Sequence, residues 1–247
     1  MTSLVGVLCS NGVVLGADSA ATFSAGRLNT IEQPMKKLNV VAEQVVVAGS
    51  GDVGLDQRFR AVLKKAYSDK AFQNSPIDVV KNLCRKTIDD FTETYVKMGK
   101  YGALLAFACE NRPCLCEFSI EDFQPELKTD QLWYCSMGSA QTITDPFLGF
   151  MRGVFWEKGP PRIQEAVFAV TWCLELAIEL NPGGVNGPVR IAVLERNDRG
   201  HLSARILSED ELGEHQQNVV EVVRHLREFP KLHQPEAGEI PSEMLKR

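Results

Sequence analysis

Residues 2–19 read TSLVGVLCSNGVVLGADS. Two apolar runs, Leu4 to Leu8 and Val13 to Ala17, flank Ser10-Asn11-Gly12. Asn-Gly between apolar runs is the strongest short-range hairpin signal, because both residues tolerate the backbone that a tight turn requires. A second apolar pair, Lys37 to Val41 and Val45 to Ala48, joins at Ala42-Glu43-Gln44. The chain is therefore expected to open with four strands and almost no helix, the first strand starting directly at Thr2.

Beyond Leu55 the period changes. Leu55, Phe59, Val62, Leu63 and Ala66 recur at helical spacing, and Ile77, Val80, Cys84, Ile88, Phe91 and Tyr95 repeat the pattern after Ser75-Pro76, a helix start. Strand-like runs return at Ala103 to Cys109, at Cys114 to Phe118 across an Asn111-Arg112-Pro113 turn, and at Leu132 to Met137. Two more helices follow, one carrying Ile143, Phe147, Leu148, Met151 and Phe155, the other Ile163, Val167, Val170, Leu174, Ala177 and Ile178. A hairpin over Val189 to Leu194 and Leu202 to Leu207 and a helix over Asp210 to Arg227 close the pattern. Sheet runs followed by helix pairs, twice over, give an α+β class: a four-layer αββα sandwich of two antiparallel sheets flanked by helix pairs. Residues 1–229 read as one domain and 230–247 as an irregular tail, punctuated by Pro230, Pro235, Gly238 and Pro241.

The 247 residues carry a formal net charge of −5 with acids and bases interspersed, which points to no nucleic acid and no membrane surface as partner. No apolar run approaches the roughly 18 residues of a membrane helix, and no signal peptide opens the sequence, so a cytoplasmic protein is expected. Seven cysteines scattered through apolar segments read as reduced core thiols, and Cys114 and Cys116 lack a second pair at zinc spacing. All four histidines fall in the last fifth of the chain, outside any HExxH or Ser/His/Asp context. Neither a metal nor another cofactor is expected, and the chemistry must come from other side chains.

Thr2, Gly16-Ala17-Asp18-Ser19 after the hairpin, Lys37-Leu38 and Ala48-Gly49-Ser50-Gly51, taken in order, resemble proteasome β subunits and the HslV-type peptidases of bacteria. The likeness covers about the first 65 residues, returns at Met137-Gly138-Ser139, and continues elsewhere only as element order. It implies an N-terminal nucleophile hydrolase fold and a threonine-type endopeptidase acting on unfolded polypeptide. It further implies self-association into face-to-face rings opened by an ATPase unfoldase or another cap.

On this resemblance the catalytic set is Thr2, Asp18, Lys37, Gly49 and Ser139. A threonine hydroxyl is a weak nucleophile that needs a base, and the free α-amine of the same residue can serve once Met1 is removed. An α-amine with a pKa of roughly 7.7 to 8.0 is about a tenth to a sixth neutral at pH 7, and a nearby ammonium raises that fraction. Lys37 would supply the ammonium and Asp18 would hold it. Lys36 beside it competes for the role, since one residue of register exchanges the faces. The Gly49 N–H would be an oxyanion donor, a role worth about 3 to 4 kcal/mol, and Ser139 would orient the Thr2 amine.

The sequence departs from the resembled pattern in three places, one of them the stretch from Asp18 to Lys37, a few residues longer than usual. The loop Asn181 to Pro188 contains neither the acid nor the serine usual there, with Asn186 the one substitute, and Ala20 stands where an arginine is common after Asp-Ser. Two other readings share the sequence: an N-terminal nucleophile amidase acting on a small molecule, and a noncatalytic ring or scaffold subunit.

Overall fold

A computed structural model describes residues 2–25, 28–94, 100–181 and 184–232. Met1, Tyr95, Pro182, Gly183 and residues 233–247, which enter the reading above, lie outside them.

The opening hairpin forms as β1 (Ser3–Cys9) and β2 (Gly12–Ala17), every residue of both strands buried. Its turn sits on Ser10-Asn11, one residue earlier than the Asn-Gly pair, and Gly12 enters β2 opposite Cys9. Gly12 is needed for close packing: a β-carbon there would stand 2.4 Å from the Leu194 carbonyl oxygen. Both strands are apolar on both faces because a sheet covers one and a helix the other.

After β2 the structure departs from the sequence reading. Residues between Asp18 and Lys37, left without an element, form a two-stranded ribbon, β3 (Ala20–Ala25) and β4 (Leu28–Pro34). The alternation was masked by polar and small residues, because one apolar pair, Phe23 opposite Ile31, is exposed rather than buried in a core. Then follow β5 (Leu38–Ala42), β6 (Val45–Gly51), α1 (Val53–Ser68), one 3-10 turn (Ala71–Gln73) and α2 (Pro76–Thr92). The remaining elements are β7 (Tyr101–Cys109), β8 (Arg112–Phe118), β9 (Pro125–Leu127), β10 (Tyr134–Gly138), α3 (Gln141–Phe155), α4 (Ile163–Leu180), β11 (Arg190–Arg196), β12 (Leu202–Ile206) and α5 (Glu209–Leu232). The β7–β8 turn falls on Glu110-Asn111, both at positive φ, rather than at Asn111-Arg112-Pro113, and Pro113 lies inside β8 opposite Ala108. Helix α5 continues through Pro230 to Leu232, past the expected stop at Arg227.

Two antiparallel five-stranded sheets result, ordered β10-β1-β2-β11-β12 and β5-β6-β7-β8-β9. Alternation along β6 sorts the layers: Val46 and Ala48 face the other sheet, Val45 and Val47 face α1 and α2. The second cluster is aromatic, with Phe59 edge-on to Phe118 and Phe123 at 5.4 and 5.3 Å between ring centres. On the far side α3 and α4 cover the first sheet, with α5 packed on α4. Asn11 ties the layers together by accepting a hydrogen bond from the Ile163 N–H at the start of α4, 3.1 Å. This is the four-layer αββα sandwich expected from the sequence.

Candidate active site

The sheet ends converge on one edge of the sandwich. The starts of β1 and β7 meet there with the ends of β2, β6 and β10, around a cleft of about 690 Å³. Thr2, Lys37, Gly49 and Ser139 all line it, with Phe23 of the ribbon, Asp56 and Tyr101.

Asp18 lies beneath the cleft with no exposure to solvent. Its Oδ1 accepts from the Ser3 N–H at 2.8 Å and from Lys37 Nζ at 2.7 Å; its Oδ2 accepts from Lys37 Nζ at 2.8 Å and from the Ala20 N–H at 3.2 Å. A carboxylate so fully hydrogen-bonded fixes the position of the ammonium it faces. Lys37 is 5 % exposed and lines the cleft, whereas Lys36 points to solvent. Burial lowers the Lys37 pKa below its usual 10.5, and the Asp18 charge and hydrogen bonds oppose that shift.

Thr2 is 8 % exposed. Its N–H donates to Ser139 Oγ at 3.1 Å, and the Ser139 hydroxyl donates back to the Thr2 carbonyl at 3.4 Å. Ser139 reaches this position because β10 pairs with β1, Gly138 opposite Ser3, and because Gly138 takes φ of +107°. A β-carbon on Gly138 would stand 2.2 Å from the Thr2 carbonyl oxygen, so only glycine lets the strand end come this close.

Gly49 lines the cleft, but its N–H donates to the Lys37 carbonyl at 3.2 Å. An oxyanion formed here would have to share that N–H. Asn186, the one substitute for the absent loop residues, turns away: its Nδ2 donates to Glu32 Oε1 at 3.0 Å and it does not line the cleft.

The sequence reading missed the group behind Gly49. Asp56, 4 % exposed, accepts from the Tyr101 hydroxyl at 3.1 Å and pairs with Arg60 at 2.9 Å. Burial raises its pKa, against the opposing pull of Arg60 and Tyr101. A β-carbon on Gly49 would meet Asp56 Oδ1 at 2.4 Å, so this carboxylate forms the floor under the glycine. The signal was present: Asp56 stands on the Phe59–Leu63 stripe of α1, an acid at a core position with an arginine one turn on.

Among solved structures, a Gly-1 mutant of Anbu from Hyphomicrobium sp. strain MC1 superimposes with a TM-score of 0.68 at 16 % identity, covering 96 % of this chain and 100 % of that one. Anbu, described as an ancestral beta-subunit, from Yersinia bercovieri gives 0.68 at 14 % identity, covering 94 % and 98 %. At such identities the likeness is one of fold. No curated protein matches the sequence. The proteasome subunit family matches residues 2–148, the span that carries Thr2, Asp18, Lys37, Gly49 and Ser139. This chain belongs to the proteasome subunit family.

Proposed function

We propose that this chain is a cytoplasmic threonine-type endopeptidase subunit that cleaves unfolded polypeptide by acyl transfer through Thr2, within a ring of identical copies. The observation that carries this reading is the grouping of Thr2, Ser139 and the Asp18–Lys37 ion pair at one cleft. Removal of Met1 makes the Thr2 nitrogen an α-amine. Ser139 Oγ orients that amine, and the Lys37 ammonium disfavours a second positive charge on it, keeping more of it as a base. The amine takes the Thr2 hydroxyl proton as the oxygen attacks the carbonyl carbon, then returns it to the leaving amine; water repeats the cycle on the ester. Lys37 also stabilises the developing alkoxide. No metal or other cofactor enters these steps.

The Gly49 N–H, engaged by the Lys37 carbonyl, favours a second reading, a ring subunit with little or no activity. Covalent labelling separates the two. A peptide epoxyketone needs both the hydroxyl and the free amine of an N-terminal threonine, so it should modify the wild type once and leave Thr2→Ala unmodified. Absence of labelling in the Met1-processed wild type would favour the noncatalytic subunit.

A further inference from the structure

Strand β6 ends at the cleft in Gly49-Ser50-Gly51, and the steps above use no atom of Ser50. Its side chain points between the sheets. Val46 and Ala48, four and two residues back, pack toward the other sheet, and alternation places Ser50 on the same face. Gly102, opposite Ser50 on β7, agrees: a β-carbon there would stand 2.9 Å from Met137 Sδ, one residue before Gly138. Gly49 faces the other way, onto Asp56 and Tyr101. The Ser50 hydroxyl therefore enters the cleft from β6 toward the end of β10, where Gly138 and Ser139 hold Thr2.

Ser50 is 5 % exposed, yet its hydroxyl makes no hydrogen bond among the described residues. It still opens onto the cleft, unlike the unpartnered hydroxyl of Ser3, which is sealed from solvent. Thr22, Tyr101, Ser119 and Ser139 all use their hydroxyls in hydrogen bonds; among the described residues of the cleft, only those of Thr2 and Ser50 do not. A nearly buried hydroxyl without a partner has lost the bonds it made to water, and an acceptor entering the cleft restores one. The acceptor that acyl transfer creates is the oxygen of the scissile carbonyl. The Gly49 N–H is already engaged by the Lys37 carbonyl at 3.2 Å, so the charge on that oxygen calls for another donor.

We infer that the Ser50 hydroxyl is this donor, a catalytic role that rests on the acyl transfer proposed above. As Thr2 Oγ1 bonds to the carbonyl carbon, its proton passes to the Thr2 amine and the carbonyl π pair moves onto oxygen, which accepts from Ser50 Oγ. Collapse returns that pair, breaks the C–N bond and passes the proton from the amine to the leaving nitrogen. Ser50 keeps its own proton throughout and stabilises charge without acting as acid or base.

The test compares wild type, Ser50→Ala and Thr2→Ala, all with Met1 removed, in peptide cleavage, inhibition by a peptide aldehyde and thermal unfolding. Ser50→Ala should lower kcat about a hundredfold with KM within about twofold of wild type, because the charge it stabilises is absent from bound substrate. The aldehyde adds to Thr2 Oγ1 as a hemiacetal with an oxygen in the same place, and should inhibit Ser50→Ala about tenfold more weakly. Tm should hold or rise, since the hydroxyl removed had no partner, whereas a hydroxyl that only braced the fold would lower it. Wild-type kcat in Ser50→Ala, a raised KM at unchanged kcat, or a loss of activity matched by a fall in Tm would each overturn the donor role and leave the Thr2 chemistry standing. A wild type that neither cleaves the peptide nor binds the aldehyde, behaving like Thr2→Ala, would overturn the proposed function and this role with it.

Discussion

Lys37 and Asp18 form one buried pair that ties strand ends together and, under the proposed function, would tune the Thr2 amine. The carboxylate receives four hydrogen bonds, and the ammonium is held with 5 % exposure at the cleft. Lys37→Met leaves the Asp18 charge buried without its cation, so it should lower unfolding free energy by about 3 kcal/mol or more in a urea titration and abolish peptide cleavage. Lys36→Met, on an exposed side chain, should change stability by less than about 0.5 kcal/mol and leave cleavage unchanged. Ser139→Ala removes the hydrogen bond to the Thr2 nitrogen, worth about 1 kcal/mol, and should reduce kcat/KM roughly three- to tenfold with little change in Tm. The pH profile of kcat/KM should rise as the Thr2 amine, the proposed base, loses its proton. It should fall again below pH 10.5 as Lys37, its pKa lowered by burial, becomes neutral. For stability the sign is the reverse of a favourably paired lysine: between the lowered pKa and 10.5 the unfolded chain binds the proton more readily than the fold does, so stability from this group rises with pH.

At the scale of elements, the site depends on strand ends brought together by tight approaches. Gly138→Ala forces a β-carbon onto the Thr2 carbonyl in a positive-φ backbone and should cost more than about 2 kcal/mol, read as a fall in Tm together with loss of cleavage. The hairpins, the helix pairs and their order were legible because period-2 and period-3.6 apolar patterns with Asn-Gly and Ser-Pro punctuation are local signals. The β3–β4 ribbon was not legible, because Phe23 and Ile31 face solvent rather than a core and its remaining residues are mostly polar or small. The placement of the first turn slipped by one residue for a different reason: Gly12 answers to the crowding of Leu194 and Ile163, a tertiary constraint that mimics turn chemistry in the sequence. Asp18, Lys37 and Ser139 stood in an ordered set that could be read together. Tyr101 could not be joined to Asp56 and Gly49 from the sequence, since it comes from β7 and reaches them through the β6–β7 pairing, Gly51 opposite Tyr101.

For the whole molecule, the sandwich leaves the cleft open on one edge. An isolated subunit of this design would expose its nucleophile to any folded protein, so the proposed activity implies enclosure by other copies. Native mass spectrometry should accordingly find an oligomer rather than a 27.4 kDa monomer, and peptide cleavage per subunit should fall on dilution below its assembly range. The central claim concerns Thr2, and the most direct measurement is the intact mass of the protein, purified from its own host, before and after incubation with a peptide epoxyketone. The account predicts a chain lacking Met1 that gains one adduct, mapped to Thr2 and absent in Thr2→Ala; a chain that retains Met1, or an adduct that persists in Thr2→Ala, would contradict it.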